Sequence, residues 1–203
     1  MKILAILGAS GHGKVVAEIA ELSGWDEIVF FDDAFPEVNA VGEWRVIGAT
    51  GDLLAERDKY SAAIVAIGNN GIRLDKSKYL IANGFELATL VHPSSTISKY
   101  AKLDEGSVVM AGAVINPFVS VGMSSIINTA CSIDHDCVLG EGVHISPGVH
   151  IAGGVSIGDL CWLGIGAVVK QYIEISHSVV VGAGAVVVNN IDPNLLVKGI
   201  PAK

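Results

Sequence analysis

Residues 121–145 read VGMSSIINTACSIDHDCVLGEGVHI. An aliphatic residue returns at every sixth position: Val121, Ile127, Ile133, Leu139 and Ile145. The same phase extends from Ile97 to Val187, with Ile, Leu or Val at every step. If roughly a quarter of residues are of these types, chance gives such a run on the order of once in a billion trials. The residue four places further on is also small or aliphatic, from Ala101 through Ser107, Val143 and Ala185 to Ile191. Each hexad therefore reads as one short strand plus a turn. One such strand cannot bury its apolar face alone, whereas stacked coils can, so the pattern predicts a solenoid. Glycine directly follows the aliphatic residue at 122, 140, 158, 164 and 182. These are read as corners needing unusual backbone torsions.

The composition agrees. The chain has 203 residues, 51% hydrophobic and only 17% charged, which excludes a disordered polymer. The stretch from Gly106 to Ile133 carries no charged residue and is long enough to span a bilayer. It also holds Asn116, Pro117, Ser120, Ser124, Ser125, Asn128 and Thr129, which are costly in lipid, and the hexad period accounts for it better. A formal net charge of −8 argues against sequence-independent nucleic-acid binding and against docking on anionic lipid. With 6% aromatics and 24 glycines, the core is expected to be built of thin, repeated layers. The first apolar run, Ile3 to Leu7, is too short for a secretory h-region and reads as a strand, so a cytoplasmic protein is expected. Three cysteines, Cys131, Cys137 and Cys161, are an odd number and share the inward small-residue phase. They are expected to pack inside the solenoid as free thiols.

The first 92 residues have a different grain. A strand to Leu7 is followed by Gly8-Ala-Ser-Gly-His-Gly13 and a helix from Lys14 to Leu22. Further strands are expected at Glu27–Phe31, Ser61–Ile67 and Phe85–Val91, with a helix from Ile72 to Asn83. Strands alternating with helices imply a small parallel α/β sheet. Gly8-x4-Gly13-Lys14 begins like a P-loop, but Val15 stands where the magnesium-holding hydroxyl belongs. The order G-x-x-G-x-G also departs from the dinucleotide fingerprint. Even so, glycines between a strand and a helix N-terminus let backbone N–H groups approach phosphate. Asp32 follows Gly13 at about the spacing of a ribose-binding acid. The plainer alternative is that these glycines only make tight turns. His92-Pro93 is the expected hinge into the repeat domain.

Four histidines of the repeat region, His135, His144, His150 and His177, avoid both apolar phases and are expected to point outward. His135 lies in Asp134-His135-Asp136, where flanking carboxylates can raise imidazole basicity and fix its tautomer. Two solvated acids beside a surface histidine is the bland alternative. His144 and His150 are one hexad apart, hence on adjacent faces, and cannot easily share a metal within one chain. A metal shared between chains stays open.

Together, the Gly8–Gly13 loop, Asp32-Asp33, Ala66-Ile-Gly-Asn-Asn70 followed by Ile72-Arg73, the hexads and the ending Lys198-Gly-Ile-Pro-Ala-Lys203 carry a likeness. The chain resembles the sialic-acid O-acetyltransferase-like sugar acyltransferases, and within them the nucleotide-sugar N-acetyltransferases of the bacillosamine and perosamine type. The resemblance implies a Rossmann-like parallel α/β domain over residues 1–92. It also implies a left-handed parallel β-helix of hexapeptide repeats with a short C-terminal tail over 93–203. It implies acetyl-CoA as co-substrate, a homotrimer with the donor groove between adjacent β-helices, and a nucleotide-linked 4-amino-4,6-dideoxy sugar as acceptor. His135 would be the general base and Asp136 the acid beside it, where relatives often carry Glu. Asn128 would line the active site, and His144, Gly153 and Ile165 match positions near the pantetheine arm. Ser10, Gly11, His12, Asp32, Asp33, Gly68 and Asn69 match the nucleotide-sugar pocket. No metal is expected. A hydroxyl acceptor such as sialic acid, a non-catalytic sugar-nucleotide-binding trimer and a trimeric zinc hydratase are the alternatives.

Overall fold

The aliphatic residue of each hexad has only one place to hide, the interior of its own coil. The computed structural model describes residues 1–203 in two units, Met1–Pro93 and Ser94–Lys203. The second unit is a left-handed parallel β-helix of two-residue strands. Up to the last coil, each strand pairs in parallel with the strand 18 residues on, for example Val114↔Ser132 and Ile115↔Ile133. Three faces result. The first carries Thr96–Ile97, Val114–Ile115, Ser132–Ile133, His150–Ile151, Val168–Val169 and Val186–Val187. The second runs from Lys102–Leu103 through Val138–Leu139 to Glu174–Ile175, and the third from Val108–Val109 through His144–Ile145 to Leu196–Val197. Parallel ladders of this kind close over a core that is aliphatic on every side.

The interior contains a second, polar regularity. Ser107, Ser125, Cys131, Cys137 and Cys161 occupy the inward small-residue phase and are all buried. Each donates to the carbonyl 15 residues further on: Ser107 to Gly122 (3.1 Å), Ser125 to Gly140 (3.3 Å), Cys131 to Ser146 (3.1 Å), Cys137 to Ala152 (3.3 Å) and Cys161 to Ser176 (2.9 Å). A buried hydroxyl or thiol is thus satisfied by the corner carbonyl of the next coil. Burial pushes the Cys131 and Cys161 thiols up to about 11, so they stay protonated.

The corners differ from the expectation. Positive φ falls on the third residue after each aliphatic position, at every sixth residue from Gly106 to Gly184, and not on the residue directly after it. Glycine at the latter position answers a different need. A Cβ at Gly158 would lie 2.6 Å from the backbone N of His177, and one at Gly164 would lie 2.7 Å from that of Ala183. These glycines permit close approach of successive coils rather than a special torsion. The period also shortens at the end. Ile191 bridges to Ile175 and Val197 pairs with Val181, 16 residues on in each case. Ile191 therefore takes the stacking position, where the hexad count had put it in the small-residue phase.

The first unit is an α/β sheet ordered β3-β4-β2-β1-β5. Its strands are β1 (Ile3–Leu7), β2 (Glu27–Phe31), β3 (Ala40–Val41), β4 (Trp44–Gly48) and β5 (Ala62–Val65). The helices are α1 (Gly11–Leu22), α2 (Thr50–Ala55) and α3 (Asn70–Ala82). The sheet is not wholly parallel as expected, because β3 and β4 form an antiparallel edge hairpin around Gly42, at φ 59°. A Gly-containing two-residue turn between short β-prone runs was its available signal. The expected strand over 85–91 shrinks to a bridge from Leu87 to Ala63 and the pair Leu90–Val91. Both α1 and α3 begin earlier than expected. No helix of the chain is long and apolar enough to cross a membrane.

Because the coils are stacked without slack, replacing Gly158 by Ala is expected to cost about 1–3 kcal/mol by overpacking. Cys161→Ser, which keeps a donor for Ser176, should cost less. Ile145, fully buried, should lose about 2–5 kcal/mol on conversion to Ala. Denaturation midpoints of the three variants check the order.

Candidate active site

The corner between the first and second faces begins where Ile133 turns inward. Asp134 donates its N–H to Ile151 (2.9 Å), which fixes the start of the turn. Its Oδ1 accepts from the His135 N–H (2.9 Å) and from Asn116 Nδ2 (3.1 Å). Asp136 then takes the left-handed conformation, φ 61°, which a short polar side chain tolerates better than most. Its Oδ2 lies 2.7 Å from His135 Nδ1. The pairing assigns the ring proton to Nδ1 and leaves Nε2 as the free lone pair. The hydrogen bond to Asp136 is the largest influence on the imidazole. With the charges of Asp134 and Asp136, it holds the His135 pKa above the ordinary histidine value.

The ring rests on the next coil. A Cβ at Gly153 would lie 2.7 Å from His135 Cε1 and Nε2, so only glycine leaves the imidazole where it is. The Gly154 N–H donates to the His135 carbonyl (2.9 Å), locking the two corners together. His135, Asp136 and Gly153 are thus one assembly.

Asn128, His144 and Ile165 form another, on the third face and its corner with the first. Asn128 Nδ2 is 3.3 Å from His144 Nε2, and its Oδ1 accepts from the Thr129 N–H (2.8 Å). The His144 ring stacks on Trp162 at 5.7 Å and 3°. Trp162 Nε1 in turn donates to Ser146 Oγ (2.8 Å). Beside the stack is an apolar groove of about 360 Å³ lined by Pro147, Trp162, Gly164, Ile165, Val180 and Ala183. Trp162 was not singled out by the sequence, because an aromatic at an outward hexad position reads as a surface residue. A single chain leaves the two assemblies at different corners of the prism.

The remaining residues lie in the first unit, Asp32 and Asp33 just after β2 and the others at the C-terminal ends of the neighbouring β1 and β5. Connections leave these neighbouring strands toward opposite sides of the sheet, one through α1 to β2 and the other through α3 to Leu87. That is the switch point where open α/β sheets take ligands. Ser10 is the N-cap residue of α1, and Gly11 and His12 open the helix. A Cβ on Gly11 would meet nothing within 4 Å, whereas one on Gly13 would lie 2.6 Å from the Gly8 carbonyl oxygen. Gly13 is therefore structural, and Gly11 leaves open space. Asp32 Oδ2 accepts from the Ala9 N–H (2.7 Å) and Oδ1 from the Ala34 N–H (2.9 Å), so its carboxylate ties down the glycine loop. Asp33 bonds the Thr50 N–H (3.0 Å) and Lys76 Nζ (2.7 Å). The Lys76 bond leads the causes that hold its carboxyl down at about 2. Asn69 Oδ1 caps α3 by accepting from the Ile72 N–H (3.0 Å), with Gly68 just before it.

Arg73, which the sequence offers only as the end of a motif, organises this edge. Fully buried, it donates to the carbonyls of Ile67 (2.9 Å) and Gly68 (3.1 Å) and to Asn70 Oδ1 (2.9 Å). An arginine on a helix reads as solvated, and only packing shows otherwise. Burial and the Arg73 cation push His12 down to about 4, so its imidazole is neutral at pH 7. His12 Nε2 is buried without a hydrogen-bond partner. No three His, Cys, Asp or Glu side chains converge as metal ligands.

Comparison with known proteins bears on this geometry. Residues 3–80 match the family model of the PglD N-terminal domain. The GDP-perosamine N-acetyltransferase of Escherichia coli O157:H7 is 29% identical over 196 residues, spanning 91% of this chain and 85% of the relative. The acetyltransferase domain of PglB from Neisseria gonorrhoeae FA1090, solved in complex with acetyl coenzyme A, is 43% identical. It aligns over 100% of this chain and 98% of its own, with a TM-score of 0.95. This chain belongs to the hexapeptide-repeat sugar acetyltransferases. A further family member, a histidine-to-asparagine variant of perosamine N-acetyltransferase from Caulobacter crescentus, was solved with CoA and GDP-perosamine. It is 38% identical, covers 100% of this acetyltransferase and 96% of its own chain, and has a TM-score of 0.96.

Gly153→Ala in this acetyltransferase should displace the His135 ring while barely changing stability, since the ring is half exposed and free to swing out. The expected outcome is a fall in turnover of about tenfold or more with the thermal midpoint little changed. One substitution followed by a turnover assay and a melting curve checks it.

Proposed function

We propose that this acetyltransferase moves the acetyl group of acetyl-CoA onto the amine of a nucleotide-linked 4-amino-4,6-dideoxy sugar, with His135 as general base. The observation that carries the reading is the 2.7 Å contact of His135 Nδ1 with Asp136, which leaves Nε2 basic and unencumbered. Relatives that bind GDP-perosamine and CoA support the choice of substrates. Acetyl-CoA supplies the acyl group as a thioester. The C–N bond forms at the thioester carbonyl carbon, the C–S bond breaks with its electron pair leaving on sulfur, and the amine proton passes to His135 Nε2. Asp136 stabilises the imidazolium that results, and that proton is available to the departing thiolate. No acyl-cysteine is needed: all three thiols are buried and held protonated.

The apolar groove beside Trp162 and Ile165 suits a pantetheine arm, with His144 and Asn128 as its polar groups. Because His135 stands at another corner of the same prism, the working site is assembled from two chains in a homotrimer. The nucleotide belongs to the first unit. The N-termini of α1 and α3 both open at the β1/β5 edge, where backbone N–H groups favour a diphosphate. Ser10, Gly11, His12, Gly68 and Asn69 surround it, with Asp32 and Asp33 holding the adjoining loops. Three free thiols fit a reducing cytoplasm.

Release of CoA thiol from acetyl-CoA, measured with a panel of UDP- and GDP-linked 4-amino sugars, tests the reading. One amino sugar should be turned over, and His135→Ala should lower kcat by about 10²–10⁴. Turnover only with a hydroxyl acceptor would replace the amine by an alcohol, and an active His135→Ala would remove the base assignment. The pH profile carries a sign. A base must be unprotonated, so the rate rises as pH passes upward through the His135 pKa, which Asp136 holds high. Asp136→Asn should therefore move the acid limb to lower pH while reducing the plateau rate. Light scattering should give the mass of three chains, and dilution to monomer should abolish turnover.

A further inference from the structure

The corner that presents His135 carries a second ring that the acyl-transfer scheme leaves unused. Tyr172 closes the turn two coils after Asp136, and it is 76% exposed. We propose that Tyr172 sets the size of the acyl group transferred at His135: its ring walls the space beside the imidazole, so that an acetyl group fits and a longer acyl chain does not. The inference rests on the reading of the chain as an acyl-CoA-dependent transferase.

Connectivity is the first argument. The dipeptide Gly153-Gly154 lies between His135 and Tyr172 and is bonded to both. The Gly154 N–H donates to the His135 carbonyl (2.9 Å), and the Tyr172 N–H donates to the Gly153 carbonyl (3.1 Å). Both rings rest on this dipeptide. A Cβ at Gly153 would lie 2.7 Å from His135 Nε2, and one at Gly154 would lie 2.6 Å from Tyr172 Cδ1. Consecutive Cα atoms are about 3.8 Å apart, so the two rings occupy neighbouring seats. His135 reaches its seat from the coil before, and Tyr172 from the coil after.

The second argument is strain. Tyr172 has a φ of 59°, in the left-handed region. Other turns of the solenoid close with Gly106, Gly112, Ser124, Asp136 or Gly184 in that conformation, residues that tolerate it better. A bulky aromatic there is strained, and such strain collects at functional sites. Phe118, the other aromatic in this conformation, stacks on Tyr100 at 5.4 Å. Tyr172 is three-quarters exposed, so burial in its own chain offsets little of the strain. What the position does secure is a fixed place for the ring beside the base.

The third argument is the chemistry at Nε2. The acceptor amine must come within about 2.6–3.2 Å of Nε2 to give up its proton. The thioester carbonyl carbon then lies about 3–3.5 Å from that amine. The acyl chain therefore starts beside the imidazole, whichever chain supplies the donor groove. An acetyl group ends there in one methyl, whereas each further methylene must run along the walls of the corner. On the Gly154 side that wall is the Tyr172 ring, a flat hydrocarbon surface with the glycine behind it. Such a wall discriminates by volume.

The test measures kcat/KM with acetyl-, propionyl- and butyryl-CoA, using the amino sugar that the wild type turns over. Wild type is compared with Tyr172→Ala, Tyr172→Phe and Gly154→Ala. Ala130, left-handed at φ 55°, shows that alanine is accepted at this turn position, so Gly154→Ala displaces the ring without removing it. The readout is the ratio between donors, because damage to His135 or to the fold lowers all three together. Wild type should favour acetyl- over propionyl-CoA by about 10–200-fold. Tyr172→Ala and Gly154→Ala should each cut that preference by about tenfold or more, and Tyr172→Phe should keep it. A wild type without preference, or a preference unchanged in both alanine variants, would overturn the assignment. A preference lost equally in Tyr172→Phe would assign it to the hydroxyl and overturn the steric wall. If Gly154→Ala does not fold, Tyr172→Ala decides. A wild type silent with acetyl-CoA on every amino sugar would instead overturn the functional reading beneath the proposal.

Discussion

The second unit depends on one register: up to the last coil, each residue lies beside the residue 18 places later. The inward aliphatic residues stack on themselves, so the core is continuous although no strand exceeds two residues. The same register sends each buried hydroxyl or thiol to the corner carbonyl of the next coil, 15 residues on. It also places Gly153 directly beneath His135. Core, internal hydrogen bonding and site geometry are therefore not separate features. A displacement of one coil would disturb all three, since a parallel ladder fixes spacing and face together.

The histidine corner shows how a solenoid makes a reactive group without a deep cleft. The left-handed residue that closes every turn is here an aspartate, and that backbone conformation brings its carboxylate back onto the neighbouring ring. Asp134 holds the backbone from the other side. Preorganisation comes from the turn itself, and the coil below supplies a flat glycine on which the ring lies. The pantetheine-matched residues occupy another corner of the same prism. A single chain thus presents its histidine corner and its apolar groove in different directions.

The first unit solves a separate problem by familiar α/β means. Two helix N-termini open at the edge where the strand order reverses. Its acids hold loops: Asp32 binds the glycine loop, and Asp33 links Thr50 and Lys76. Arg73, inside the fold, holds the β5–α3 loop, and burial together with its charge keeps His12 neutral.

The sequence by itself determined the coil. A six-residue period held in phase from Ile97 to Val187 specifies which side chains face inward, because each hexad sees the same surroundings as the last. It determined the buried thiols and the outward histidines for the same reason, and the spacing of Gly8 and Gly13 marked the first strand–helix junction. The flanking carboxylates drew attention to His135, and likeness of motifs gave it and Asp136 their expected roles. Other features depended on contacts between residues far apart in the chain. The corner glycines at 158 and 164 answer the approach of the following coil, which no local torsion rule reveals. The two-residue shortening before Ile191 follows from the last coil's own closure. Arg73 is buried by the packing of α3 on its sheet, and Trp162 gains its meaning from His144, a full coil earlier. Tertiary structure alone decided that His135 and Tyr172 rest on consecutive glycines, because only the 18-residue register brings three successive coils onto one corner.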